Sequence, residues 1–274
     1  MALFHFANPE LFAFGILGNL VSFLVYLAPI PTFYRIVKKK STEGFHSIPY
    51  VIALYSATLM IYYALNKNDA TLLITINSFG IVIETIYLSL FIAYAPKKIR
   101  VSTIKLVVLL NIVSYVMIVA VTYFFIQPPK RVHILGGINL LLSFIVFVAP
   151  LSIIKKVVQT RSVEFMPFWL SFFLSLSAVM WFFYGLLSKD IYVALPNILG
   201  FMFGIIQMVL YGIYKNCESK PVEELKLPEI VKGTPEIYPV SSFPSSENDD
   251  DDDDEEKKKD ENIKDKNMDA SDQV

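Results

Sequence analysis

Apolar residues gather into seven blocks, about 11–36, 48–65, 72–94, 106–126, 132–154, 167–187 and 193–214, separated by short polar connections. Each block approaches the ~20 residues that a helix needs to cross about 30 Å of hydrocarbon. The pattern predicts seven transmembrane helices. The first block is too long for the apolar core of a signal peptide and has no basic flank before it, so it reads as an uncleaved spanning helix.

The blocks are not independent. Residues 22–29, SFLVYLAP, return as SFIVFVAP at 143–150, a constant 121 residues later. The same register carries Ser56 onto Ser177, Met60 onto Trp181, Tyr63 onto Tyr184 and Asp69 onto Asp190. After one deletion the offset becomes 120 and carries Asn77 onto Asn197 and Gly80 onto Gly200. Such self-similarity marks one structural unit used twice. A unit of three spanning helices reverses the chain's direction, so two units joined directly would be upside down relative to each other. The fourth helix, which has no repeat partner, restores the direction and makes the copies parallel.

The expected fold class is therefore an all-α integral membrane protein. Its seven transmembrane helices form two parallel three-helix repeats joined by an inversion linker helix, in a 3+1+3 order. The expected division is 1–96 for the first repeat, 97–130 for the linker helix, 131–217 for the second repeat and 218–274 for a disordered acidic cytosolic tail.

Charge sets the orientation. Arg35, Lys38, Lys39 and Lys40 flank the first connection, Lys97, Lys98, Arg100 and Lys105 the third, and Lys155, Lys156 and Arg161 the fifth. The second, fourth and sixth connections hold only Lys67, the Lys130–Arg131 pair and Lys189. Positive charge stays in the cytosol, which puts the N-terminus outside and the C-terminus inside. The net charge of −1 averages two regions: residues 218–274 carry −11 and residues 1–217 carry +10. The acidic segment is too poor in apolar residues to offset its ordering entropy. Cys217 is the only cysteine, and His5, His46 and His133 lie far apart in expected loops. No disulfide, metal site or cofactor is expected, nor any nucleic-acid partner. An intramembrane hydrolase would need a histidine at depth, and no span offers one centrally. A seven-helix receptor is not built as two three-helix copies.

Five segments together resemble the SWEET sugar transporters of plants over residues 10–216. They are LAPIPTF at 27–33, KKKSTEGF at 38–45, LITIN at 73–77, TRSVEFMPF at 160–168 and VALPN at 193–197. The resemblance is to the sucrose-transporting group with long C-terminal tails. It implies a bidirectional sugar facilitator of the plasma membrane that works by alternating access and forms homo-oligomers or hetero-oligomers with other members.

Asn77 and Asn197 lead the expected site, because each stands about a turn inside the outer end of the helix that closes its repeat. A carboxamide presents a donor and an acceptor side by side, which suits vicinal sugar hydroxyls; the alternative is an amide bonded to a neighbouring helix. Trp181 and Met60 lie four residues after Ser177 and Ser56, on the same helical faces. The resemblance places Trp181 in the substrate cavity. Many members carry tryptophan where Met60 stands, so the methionine implies a wider site on that side. Ser22 and Val25, with Ser143 and Val146, sit on one face of the first and fifth helices.

The resemblance also assigns hinge roles to Pro29, Pro49, Pro150 and Pro167, with an ordinary helix start as the alternative for Pro49 and Pro167. It assigns an extracellular gate to Tyr63 and Asp190, for which the repeat supplies the mirror pair Tyr184 and Asp69. Glu84 is the one acid well inside a span. It reads either as a structural hydrogen-bonding group or as a proton-coupling group, and the second repeat has Gly204 at that register.

Overall fold

The computed structural model describes residues 8–163, 166 and 168–217. Among the described residues seven helices are long and apolar enough to cross a membrane: α1 (Pro9–Lys39), α2 (Ile48–Leu65), α3 (Thr71–Tyr94), α4 (Lys97–Phe125), α5 (Pro128–Thr160), α6 (Phe168–Leu187) and α7 (Ile191–Tyr214). There is no strand among the described residues. Pro167 and the segment 218–274, with its expected acidic tail, lie outside the described residues.

Three helices overrun the apolar blocks. α1 and α5 run past residues 36 and 154 through basic turns, and α4 begins nine residues before residue 106, at Lys97. Hydropathy marks only the hydrocarbon layer. The backbone ladder continues beyond it, and lysine stems lie along the helix while their ammonium groups reach water.

Local chemistry explains the ends. α1 starts at Asn8, whose side chain accepts the Leu11 N–H at 3.3 Å, with Pro9 in the first turn. Capping and the proline's fixed φ favour that start. α7 starts at Asp190, whose Oδ1 accepts the N–H groups of Tyr192 at 3.1 Å and Val193 at 3.3 Å. The connection after α1 is closed by Glu43, which pairs with Arg35 at 2.5 Å and Lys39 at 2.7 Å.

α1 and α5 are each broken at the motif that recurs between the repeats. The first part of α1 ends at Leu27 and the second begins at Ile30; α5 breaks at Phe147. Pro29 has no N–H to give the Val25 carbonyl, which instead accepts the Ala28 N–H at 3.1 Å in a tighter turn. Pro49 sits differently, in the first turn of α2. There the missing N–H leaves no gap, because first-turn donors lack intrahelical partners anyway.

The helices form a closed ring. Within the first repeat α3 packs against both α1 and α2; within the second, α7 packs against both α5 and α6. The repeats meet where α1 lies on α6 and where α2 lies on α5. Exchanging the repeats maps one junction onto the other, as a twofold axis through the ring requires. α4 stands outside, held to α2 by Tyr55 Oη and Ser114 Oγ at 2.7 Å and by the Asn111 amide on the Val51 carbonyl at 3.3 Å. A π-helical stretch, Val108–Ser114, interrupts α4 where these bonds form. Apolar side chains such as Leu20, Leu24, Met117, Phe124, Leu141 and Ile145 face outward, as the lipid-facing side of a membrane bundle requires.

Candidate functional site

The ring encloses a cavity of about 540 Å³ at the junction of the repeats. Its wall includes Ser22, Ser56, Met60 and Asn77 from the first repeat, and Ser143, Val146, Ser177, Trp181 and Asn197 from the second. Nine of the ten expected binding residues thus meet around one space. Val25 is the exception: it is half-buried on α1 and stands outside the wall. Pro150 is in the wall and Pro29 is not.

The two asparagines have matching geometry. Asn77 donates its amide to the Leu73 carbonyl and Asn197 to the Val193 carbonyl, each at 2.7 Å and each four residues back on its own helix. Neither amide bonds a neighbouring helix among the described residues. Their oxygens have no protein partner there, so the pair offers two acceptors to the cavity. Pro196 also lines the wall, directly before Asn197.

The serines and Trp181 bind the repeats to each other on one side only. Ser22 Oγ and Ser177 Oγ are 2.8 Å apart, and the Trp181 indole N–H donates to Ser22 Oγ at 2.9 Å. With its polar edge occupied, the ring presents an apolar face. Gly18 makes room for it, since a Cβ there would stand 3.0 Å from Trp181 Cε2. The mirror junction is looser: Ser143 turns back to the Asn139 carbonyl at 2.9 Å, opposite Ser56 and Met60.

Tyr26 and Phe147 belong to the wall as well and were not singled out from the sequence. The repeat register held the signal, because they are equivalent positions inside the motif that recurs at 22–29 and 143–150.

A polar knot lies behind the part of the wall formed by Tyr192 and Val193, whose N–H groups Asp190 accepts. Tyr63 donates to Asp190 Oδ2 at 2.7 Å across the repeats, and Lys67 Nζ pairs with the same oxygen. Tyr63 and Asp190 are 1% and 3% exposed, whereas the Lys67 side chain stays partly open at 21%. A buried pair broken by losing one partner leaves an uncompensated charge. The mirror pair forms differently: Tyr184 donates to the backbone carbonyl of Asp69 at 3.4 Å rather than to its carboxylate. Asp69 has φ +57°, a turn conformation that brings its carbonyl round to Tyr184. Lys67 was not singled out from the sequence. Its equivalent, Ser188, has no charge, so the register gave no sign of it.

Glu84 is buried and stands outside the cavity wall. It lies in the first repeat beside Tyr50 and Tyr87. Phe33 stacks on Tyr87 at 4.4 Å between ring centroids and meets Tyr50 edge-on at 4.9 Å. Neither Glu84 Oε2 nor Tyr50 Oη has a hydrogen-bond partner among the described residues.

A ring of two parallel three-helix repeats around one mostly apolar cavity with a few polar side chains, and a polar knot that ties the two repeats together beside it, define a membrane carrier of the parallel-repeat class. The family described as "sugar efflux transporter for intercellular exchange" matches the chain twice, over residues 12–99 and 133–219. The bidirectional sugar transporter SWEET11 of Arabidopsis thaliana is 55% identical over 236 residues, covering 84% of this chain and 82% of its own. The bidirectional sugar transporter SWEET13 of Oryza sativa subsp. japonica is 60% identical over 216 residues, covering 79% and 73%. A eukaryotic SWEET transporter solved at 3.7 Å superposes with a TM-score of 0.72 at 34% identity, covering 76% of this chain and 97% of that one. The chain belongs to the SWEET family of bidirectional sugar transporters.

Proposed function

We propose that this protein is a facilitative sucrose carrier of the plasma membrane, with hexoses as weaker substrates, working by alternating access. The cavity carries the reading. Its volume of about 540 Å³ lies within the range, about 300–1,000 Å³, of pockets that take ligands the size of a disaccharide. The unpaired carboxamide oxygens of Asn77 and Asn197 and the wall serines Ser22, Ser56, Ser143 and Ser177 serve sugar hydroxyls, and the Trp181 face serves the C–H side of a ring. A charged solute would want a fixed counter-charge in the wall, and Glu84 stands outside it.

In this reading Pro29 and Pro150 are the hinges, since α1 breaks at Pro29 and α5 breaks at Phe147, three residues before Pro150, with Pro49 and Pro167 as secondary pivots. Tyr63 and Asp190 form the outer gate, reinforced by Lys67. The N-terminus is extracellular and the C-terminus cytosolic, in keeping with the basic connections. The repeats span 1–96 and 131–217, residues 97–130 form the linker helix, and the acidic tail 218–274 is dispensable for flux. The carrier works in homo-oligomers or in hetero-oligomers with other family members.

Valine at 146, in the wall, supports sucrose over hexose, with Val25 outside the wall as a lesser contributor. A leucine or methionine in place of valine adds only about 0.8 kcal/mol of apolar character per CH₂, so space rather than hydrophobicity must select. The test is uptake of labelled sucrose and glucose in cells lacking their own carriers, for the wild type, Val146→Met, Val25→Leu and the double variant. Val146→Met should suppress sucrose and spare glucose more than Val25→Leu does, because only Val146 is in the wall. Glucose flux with no sucrose flux in the wild type would replace this reading with a hexose carrier.

A further inference from the structure

The cavity continues past the two asparagines along the second repeat only. Ser171, Leu174, Phe203, Gly204 and Gln207 extend its wall along α6 and α7, away from the Tyr63–Asp190 knot. The repeat register gives the physical reason. Ser171 corresponds to Tyr50, Gly204 to Glu84 and Gln207 to Tyr87. In the first repeat these residues pack with Phe33 into a solid cluster, in which Tyr50 and Tyr87 are 4% and 2% exposed. The second repeat puts a serine, a glycine and a glutamine in their places, and the same space is hollow.

The hollow is also polar. Ser171 and Gln207 are 4% and 7% exposed, yet neither the Ser171 hydroxyl nor the Gln207 carboxamide has a hydrogen-bond partner among the described residues. Buried polar groups are otherwise nearly always paired. Gly204 sets the depth: a Cβ there would run into Ser175 Oγ, so α7 can approach α6 only without a side chain at that position. Ser175 itself is occupied, donating to the Ser171 carbonyl at 2.7 Å.

We propose that this lobe is a second sugar subsite, in which Ser171 and Gln207 hydrogen-bond one ring of a disaccharide while Asn77, Asn197 and Trp181 hold the other. The inference rests on the sucrose reading above. It makes substrate choice depend on the difference between the repeats: the filled inner half of the first repeat and the hollow inner half of the second place the two rings along one path. A monosaccharide held at the asparagines leaves the lobe to water and loses little when the lobe is altered.

The test uses the full-length chain in cells without endogenous sugar carriers, at matched surface abundance, with labelled sucrose and glucose side by side. Gln207→Leu and Ser171→Ala remove one polar group each with little change of shape. Ser171→Tyr installs the residue that fills the equivalent place in the first repeat. Each polar deletion should raise the sucrose KM about two- to tenfold, the effect of one lost hydrogen bond, and Ser171→Tyr should abolish most sucrose flux. Glucose flux should stay near wild type in all three. Parallel loss of both sugars in the polar deletions, or unchanged sucrose transport in them, overturns the subsite while leaving the sucrose reading intact. A wild type that carries glucose but no sucrose overturns both.

Discussion

The Trp181 indole N–H donates to Ser22 Oγ at 2.9 Å, fixing an aromatic ring of the second repeat to the opening helix of the first. Because Ser22 Oγ also lies 2.8 Å from Ser177 Oγ, three side chains hold one junction of the ring together. The mirror junction has Met60 in place of the ring and no such link between Ser143 and Ser56 among the described residues. The carrier is thus pinned on one side and adaptable on the other.

Ser22→Ala should free the Trp181 ring while leaving the helix contact intact. A hydrogen bond of this kind contributes about 0.5–1.5 kcal/mol, so sugar affinity should fall about two- to tenfold with surface abundance unchanged. Gly18→Val should do more damage by displacing the ring itself, and uptake kinetics on the two variants will check the order. A Ser22→Ala carrier with wild-type KM would remove the ring's orientation from substrate binding.

Asn77→Ala and Asn197→Ala should each abolish most transport without loss of membrane insertion. Each amide bonds only its own helix, so no interhelical contact is lost. One or two missing sugar hydrogen bonds at about 0.5–1.5 kcal/mol each correspond to a several-fold to about hundredfold weaker site. Equilibrium binding of labelled sucrose to purified protein, compared with melting temperature, separates binding from folding.

Asp190 has two tasks, and its two variants divide them. Asparagine keeps the cap on α7 but discharges the pair with Lys67, whereas alanine removes both. Asp190→Asn should slow transport and lower the melting temperature, because the partly buried Lys67 ammonium loses its counter-charge. Asp190→Ala should lose about a further 1 kcal/mol of stability through the missing cap. Equal melting temperatures for the two variants would show that the cap contributes nothing here.

Glu84 stands behind the cavity wall, in the packed half of the first repeat. Transport is expected to be insensitive to a protonophore, and Glu84→Gln should retain sugar flux. Accumulation of sugar above its external concentration, lost on addition of protonophore or in the glutamine variant, would establish proton coupling instead.

Hydropathy and internal repetition were enough to read seven spanning helices, their 3+1+3 order and the pairing of Asn77 with Asn197. These follow from linear rules: the thickness of hydrocarbon sets the length of an apolar block, and the parity of a three-helix unit demands an inverter. The departures from symmetry were decided only in three dimensions. Lys67 joins Asp190 from the other repeat, Tyr184 takes a backbone carbonyl where Tyr63 takes a carboxylate, and Val25 stays out of the wall that Val146 enters. The reason is that a repeat register reports which positions are equivalent, whereas a contact depends on what faces each of them. At every junction of this ring the facing residue belongs to the other copy, and the copies have diverged.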